Sequence, residues 1–347
     1  MEDKNRNLIL GVAAGAAVFG ALSAWRRFSG GYDFEDKVVF ITGGSRGLGL
    51  VLARELGSRG AKLAICARDA DELERARHDL KSDGYEVFDT VCDVTDEASV
   101  KEAVAAVRQR FGRIDVLLND AGVIQVGPLE VQTRKDFKDA LDVHFWGPFN
   151  TMNEVIPEMR ERGGGRIINI ISIGGKIAVP HLAPYCASKF ALSGLSTAMH
   201  NELKKDNIVV TSVYPGLMRT GSHINAYFKG QNEKEYAMFS VINGLPGSSI
   251  SAEHAAREIV DAAERGDSEI VLSLPAKAAA KLQGLFPGLT NEVLALTNRL
   301  LPGEGGIGTA KAPGHESTSA AAPSILTALS DAASARNNEL VPDERIH

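Results

Sequence analysis

The chain has 347 residues, 44% of them hydrophobic and 24% charged, with a formal net charge of −6. That is enough apolar content for one large α/β domain with additions, and the acidic balance gives no electrostatic basis for nucleic-acid binding. Cys66, Cys92 and Cys186 stand apart without CxxC or Cys/His spacing, which argues against a disulfide framework or a metal site and suits a reducing compartment.

Residues 1–33 form an N-terminal segment in which Leu8 to Trp25, LILGVAAGAAVFGALSAW, carries no charge and is followed at once by Arg26 and Arg27. As a helix it would be about 27 Å long, close to the hydrocarbon thickness of a bilayer. A single membrane anchor is favoured here over two other readings, a cleaved signal peptide and a buried helix. The leading MEDKNRN is a poor basic n-region, and no polar face is present for a half-buried helix. The two arginines favour placing the following domain on the cytoplasmic side.

From residue 34 the pattern changes. The apolar runs KVVFITGG, AKLAICAR, YEVFDTVCDV, RIDVLLNDAG, GRIINIIS, IVVTSVYPG and SEIVLS alternate with longer amphipathic stretches. One of these, DEASVKEAVAAVRQRFG, sets Val100, Ala103, Val104, Val107 and Phe111 on one helical face. Near-continuous apolar strands alternating with helices predict an α/β domain, a doubly wound parallel sheet of about seven strands, over residues 34–274. Residues 275–302 read as an amphipathic extension broken at Pro287, either packed on the domain or lying on a membrane surface. The Gly/Ala/Ser/Pro-rich tail, 303–347, reads as disordered.

Three places carry chemistry. The first strand runs into TGGSRGLG, where Gly43, Gly47 and Gly49 permit a sharp turn, close approach of a pyrophosphate, and access to the positive end of the next helix. The second strand ends in Ala67-Arg68-Asp69. An acidic residue would bind both ribose hydroxyls of NAD there, whereas Arg68, with Arg46 in the glycine loop, offers cations for a 2′-phosphate and favours NADP(H). Asp69 could still reach the ribose, so NAD(H) stays open. In PYCASKFAL, Tyr185 and Lys189 lie one helical turn apart on one face.

TGGSRGLG, CDV, NDAG, a serine thirteen residues before YCASK, and YPGLMRT occur in that order, and the chain thereby resembles the short-chain dehydrogenase/reductase family over about residues 36–273. The resemblance implies a Rossmann-type fold binding NAD(P) in a homo-oligomer, and a catalytic set of Ser172, Tyr185 and Lys189. It further implies cofactor contacts at Gly43, Ser45, Arg46, Gly47, Leu48 and Gly49 in the phosphate loop, and at Arg68. Asp93 and Val94 would face the adenine, and Asn119, Ala121 and Gly122 the adenosine ribose. Tyr185 and Lys189 would also touch the cofactor, while Pro215, Gly216 and Thr220 would hold the nicotinamide. In this chemistry Lys189, one turn away, together with an oxidised nicotinamide, is expected to lower the phenol pKa, and Ser172 to hold the substrate oxygen. Two positions depart from the family pattern. Asp120 replaces an asparagine, and His144 stands where the family's catalytic tetrad has an asparagine, either as a proton-passing imidazole or as a satisfied core histidine.

The long segment after Thr220 carries Ile224, Tyr227, Phe228, Tyr236, Met238 and Phe239, which suggests a partly apolar lid and a hydrophobic alcohol, ketone or aldehyde as substrate. A membrane-anchored NADP(H)-binding sensor or scaffold without turnover is the alternative from another class; intact Ser172, Tyr185 and Lys189 count against it.

Overall fold

All seven apolar runs are strands of one parallel sheet in the computed structural model, which describes residues 31–245, 247–320, 322–324 and 327–340. They are β1 (Val38–Thr42), β2 (Lys62–Ala67), β3 (Val87–Val91), β4 (Val116–Asn119), β5 (Gly165–Ile170), β6 (Ile208–Tyr214) and β7 (Glu269–Val271), in the spatial order β7-β6-β5-β4-β1-β2-β3. Along β1 successive side chains serve opposite cores. Val39 and Ile41 join the cluster under α1 (Gly47–Ser58), α2 (Ala70–Ser82) and α8 (Ala252–Arg265). Val38 and Phe40 join the cluster under α3 (Glu97–Phe111), α5 (Gly147–Glu161) and α6 (Ala183–Leu203). Helices on both faces leave no polar side to the strands, which is why the runs are apolar throughout.

The strand order reverses between β1 and β4, so the loops after these two strands diverge and leave a crevice at their C-terminal ends. The wall of that crevice is built from pieces too short to show a period in sequence. Gln125–Val126, Tyr227–Phe228 and Ala312–Pro313 form a three-stranded sheet, and Leu217–Arg219 pairs with Ser249–Ser251.

Two expectations are corrected here. The 303–347 tail, read as disordered, is an ordered arm over its described residues. Ala312–Pro313 pairs with Tyr227–Phe228, and α11 (Ala328–Arg336) follows, with Ala333, Ser334, Asn337 and Glu339 buried. Its small side chains allow close backbone approach: a Cβ on Gly221 would meet the Ser334 Cα at 2.4 Å. The expected apolar lid turns inward for the same reason. Phe228 and Tyr236 pack with Val126, Ala226 and Ala322, the last of these from the arm. The segment also forms α7 (Asn232–Gly244), an ordinary helix whose Tyr236 and Ser240 are buried.

The 275–302 extension forms α9 (Leu274–Leu285) and α10 (Pro287–Asn298), broken at Pro287 as expected. Only Ala276 is buried in this pair, while Leu285, Phe286, Leu289 and Leu296 are exposed. Among the described residues no helix is long and apolar enough to cross a membrane; Leu8 to Trp25 lies outside them.

Candidate active site

The turn after β1 must pass under the loop after β4. Gly43 has φ +71°, and a Cβ there would sit 2.9 Å from the Ala121 backbone N; at Gly49 a Cβ would lie 2.2 Å from the Gly43 carbonyl oxygen. Thr42 joins the two turns, its Oγ1 accepting the N–H groups of Asp120 (3.2 Å) and Ala121 (3.3 Å). Leu48 is buried in the first turn of α1. A bare backbone at the N-terminus of a helix, with no room for side chains, fits a dinucleotide pyrophosphate.

Asp69 caps α2 through the Glu72 N–H (2.9 Å), which commits one carboxylate oxygen to the helix rather than to a ribose. Arg68 lines the cleft. Arg46 is not the free second cation expected, since its guanidinium pairs with Glu72 at 2.9 Å and with Glu339 at 3.6 Å. Ser45 donates to Glu72 at 3.1 Å. At the end of β3, Asp93 accepts from both the N–H and the hydroxyl of Thr95, and the Val94 carbonyl accepts from Asn150 (3.1 Å).

Asn119 is engaged across the sheet. Its amide donates to Asn169 (2.9 Å) and its carbonyl accepts from Thr151 (2.7 Å); Asn169 in turn donates to Ser196 (3.0 Å), whose hydroxyl is hydrogen-bonded to that of Ser212 at 2.7 Å. This buried seam was missed in sequence, although an asparagine inside the apolar run GRIINIIS was its signal. Ile173 N–H donates to the Pro215 carbonyl (2.7 Å), and Gly216 approaches Ser273 so closely that a Cβ would lie 2.8 Å from its Oγ. Thr220 is buried and donates to Ser222 at 2.9 Å.

Tyr185 and Lys189 lie one turn apart on α6, beside Ser172 just beyond β5. Ser172 Oγ accepts the Gly174 N–H at 3.0 Å. A Cβ on Gly174 would lie 3.1 Å from the Tyr185 ring and 3.4 Å from Ser172 Oγ, so glycine lets the two side chains stand close together. Lys189 Nζ donates to the Ile170 carbonyl at 3.0 Å and stands 5.7 Å from the Tyr185 ring centre. Burial lowers the ammonium to about 8, against the pull of Asp120. Burial also pushes the phenol up to about 12, with the neighbouring Ser172 opposing. In the protein alone desolvation is the dominant effect, and Tyr185 is a protonated phenol at neutral pH.

His144 lies in a π-helical turn, Asp142–Trp146, between α4 (Arg134–Leu141) and α5. Ser188 Oγ donates to the Tyr185 carbonyl at 2.8 Å, so it accepts from His144 Nδ1 at 2.7 Å. His144 Nε2 accepts the Val123 N–H at 3.1 Å, next to Gly122, whose Cβ would crowd it at 3.2 Å. Both nitrogens are used and the ring is neutral, its pKa held well below the usual value by burial and by Lys189. Of the two readings of His144, the geometry matches the satisfied histidine rather than the proton carrier.

A cleft of roughly 290 Å³ runs from Arg68 to Tyr185, walled by Gln125, Asp142, Tyr227 and Lys311 among others. Its walls are mostly polar and charged, with Val123, Ala140 and Val143 between. Of the apolar side chains expected to line it only Tyr227 does; Phe228, Tyr236 and Phe239 pack instead in the cluster that includes Ala322 of the arm.

A glycine turn and a half-buried phenol at the same end of a doubly wound parallel sheet mark a nicotinamide-dependent oxidoreductase. The chain belongs to the short-chain NAD(P)-dependent dehydrogenase/reductase family: the sequence signature described as short chain dehydrogenase matches residues 37–228. It is 35% identical to gluconate 5-dehydrogenase of Gluconobacter oxydans over 182 residues, 52% of this chain and 71% of the relative. It is 28% identical to mouse dehydrogenase/reductase SDR family member 7B over 283 residues, 80% of this chain and 86% of the relative. Among solved structures it superposes on L-sorbose reductase from Gluconobacter frateurii complexed with NADPH and L-sorbose. There the TM-score is 0.62 and the identity 27%, over 70% of this chain and 97% of the other.

Proposed function

We propose that the protein interconverts an alcohol and its ketone or aldehyde with NADP(H), Tyr185 being the general acid/base. The observation that carries this reading is the Tyr185 phenol, which lines the cleft beside Ser172 with Lys189 one helical turn away and is held protonated by desolvation. A carbonyl oxygen that receives hydride gains negative charge and needs a donor; a phenol at about 12 is charged with its proton and suited to reduction. Ser172 would hold the same oxygen in line. Lys189 would bind the nicotinamide ribose and complete the proton path, and the turn from Gly43 to Gly49 would take the pyrophosphate. Arg68 would meet a 2′-phosphate, a reading supported by the commitment of Asp69 to its helix cap. The bound cofactor supplies the hydride and, when oxidised, a positive charge that favours the phenolate.

The charged groups around the cleft favour a carbonyl compound bearing polar groups over the hydrophobic one expected from the sequence. NADPH oxidation should be followed against ketones and aldehydes graded in polarity, with Tyr185→Phe alongside. Turnover on the polar members, lost at least about a hundredfold in the variant with NADPH binding retained, is the expected result. Equal activity in both proteins would remove Tyr185 from the mechanism. We also propose that Leu8 to Trp25 anchors the chain in a membrane, a reading supported by its uncharged length and by the exposed leucines of α9 and α10.

A further inference from the structure

The glycine turn is covered by the chain's own C-terminus. Gly47 N–H, at the head of α1, donates to the Asn337 carbonyl at 2.9 Å. Asn338 donates to the Ser45 carbonyl (2.9 Å) and the Glu72 carbonyl (3.1 Å), and its own oxygen accepts from Arg75 at 3.0 Å. Asn337 donates to the Thr220 carbonyl at 3.0 Å, and Arg54 donates to the Arg336 carbonyl at 2.9 Å. Between these ties the Glu339 side chain turns into the crevice. Its Oε1 would lie 2.6 Å from a Cβ on Gly47, its other oxygen accepts from Asn225 at 2.6 Å, and Arg46 stands 3.6 Å away. The carboxylate is buried, and burial pushes its pKa above the ordinary glutamate range against the pull of Arg46.

We propose that residues 337–339 form an internal strap that competes with the dinucleotide for the phosphate loop, Glu339 standing where the anionic pyrophosphate would bind. This rests on the nicotinamide-dependent reading of the same site. A hydrogen-bond donor at Gly47 cannot serve both the Asn337 carbonyl and a phosphate, and a carboxylate against Gly47 would repel the anion while filling its space. The strap is thus not a lid that closes over bound cofactor. The nucleotide-competent form is the one with the strap released, and apparent affinity is reduced by the fraction of molecules in that form.

The test measures NADPH binding by nicotinamide fluorescence in the full chain, in its Glu339→Ala variant, and in a chain ending at Arg336. Amide exchange in the full chain is followed with and without NADPH. Glu339→Ala should tighten binding about threefold or more, and the shortened chain about tenfold or more. NADPH should speed exchange at the amides of Asn337 and Glu339, which are bonded to the carbonyls of Ala333 and Ser334. Exchange slowed or unchanged at saturating NADPH, or measurable binding equal in all three chains, would overturn the strap and leave the cofactor reading standing. No binding of NADPH or NADH by any chain would overturn the cofactor reading, and the strap with it.

Discussion

Asp120 shows how one substitution against the family pattern acts through solvation. Its carboxyl lies under the Gly49 N–H, and burial raises its pKa from the ordinary 3.8 to about 8, against the attraction of Lys189. The folded protein thus holds a proton that the unfolded chain releases. Between about pH 4 and pH 8 that difference makes the native state less stable as pH rises. Asp120→Asn removes it, so the variant's gain in thermal midpoint should grow from pH 5 to pH 8. A gain equal at both pH values would mean that Asp120 is ionised in the folded protein. Neither this effect nor the state of His144 was legible in sequence. Both depend on which groups lie across from the residue in space, as Ser188 and the Val123 amide do for the imidazole.

The elements were legible in proportion to their length and periodicity. β1 to β7 announced themselves as apolar runs because both faces of the sheet are covered. The two- and three-residue strands of the cleft wall carry no period and are held instead by contacts between distant segments. One such contact is a buried ion pair. Lys229, next to the Tyr227–Phe228 strand, reaches Asp136 in the first turn of α4 at 2.6 Å, and Asp136 also accepts from the N–H and hydroxyl of Thr133. Despite desolvation, which raises it, these hydrogen bonds hold the Asp136 carboxyl down at about 2. Lys229→Met leaves a carboxylate buried without its counter-charge and should cost about 3 kcal/mol in chemical denaturation. Adding Asp136→Asn should restore part of that loss. A double variant no more stable than the single would show that the pair is not coupled.

For the molecule as a whole, composition misled where it suggested disorder. The arm's Ala, Ser and Asn residues are poor at building a core alone, but they suit close approach and hydrogen bonding to a surface that is already folded. The tail was therefore invisible to an argument from apolar content. The membrane reading rests on the opposite signal, an uncharged run of apolar residues. It is checked by fractionation: the full chain should sediment with membranes, and a chain beginning at Gly31 should stay in the supernatant. Retention of the shortened chain would move the anchoring away from Leu8 to Trp25.

The arm also has a consequence in time. Its contacts join residues far apart in the chain: Asn225 with Glu339, separated by 114 positions, and Arg54 with Asn337, separated by 283. Domains fold as units during synthesis, from the N-terminal side onward. Gly47 and its neighbours therefore leave the ribosome, and the sheet can assemble around them, before Asn337 to Glu339 are made. The nascent protein passes through a stage with its phosphate loop uncovered, in which a nucleotide can enter without first displacing anything.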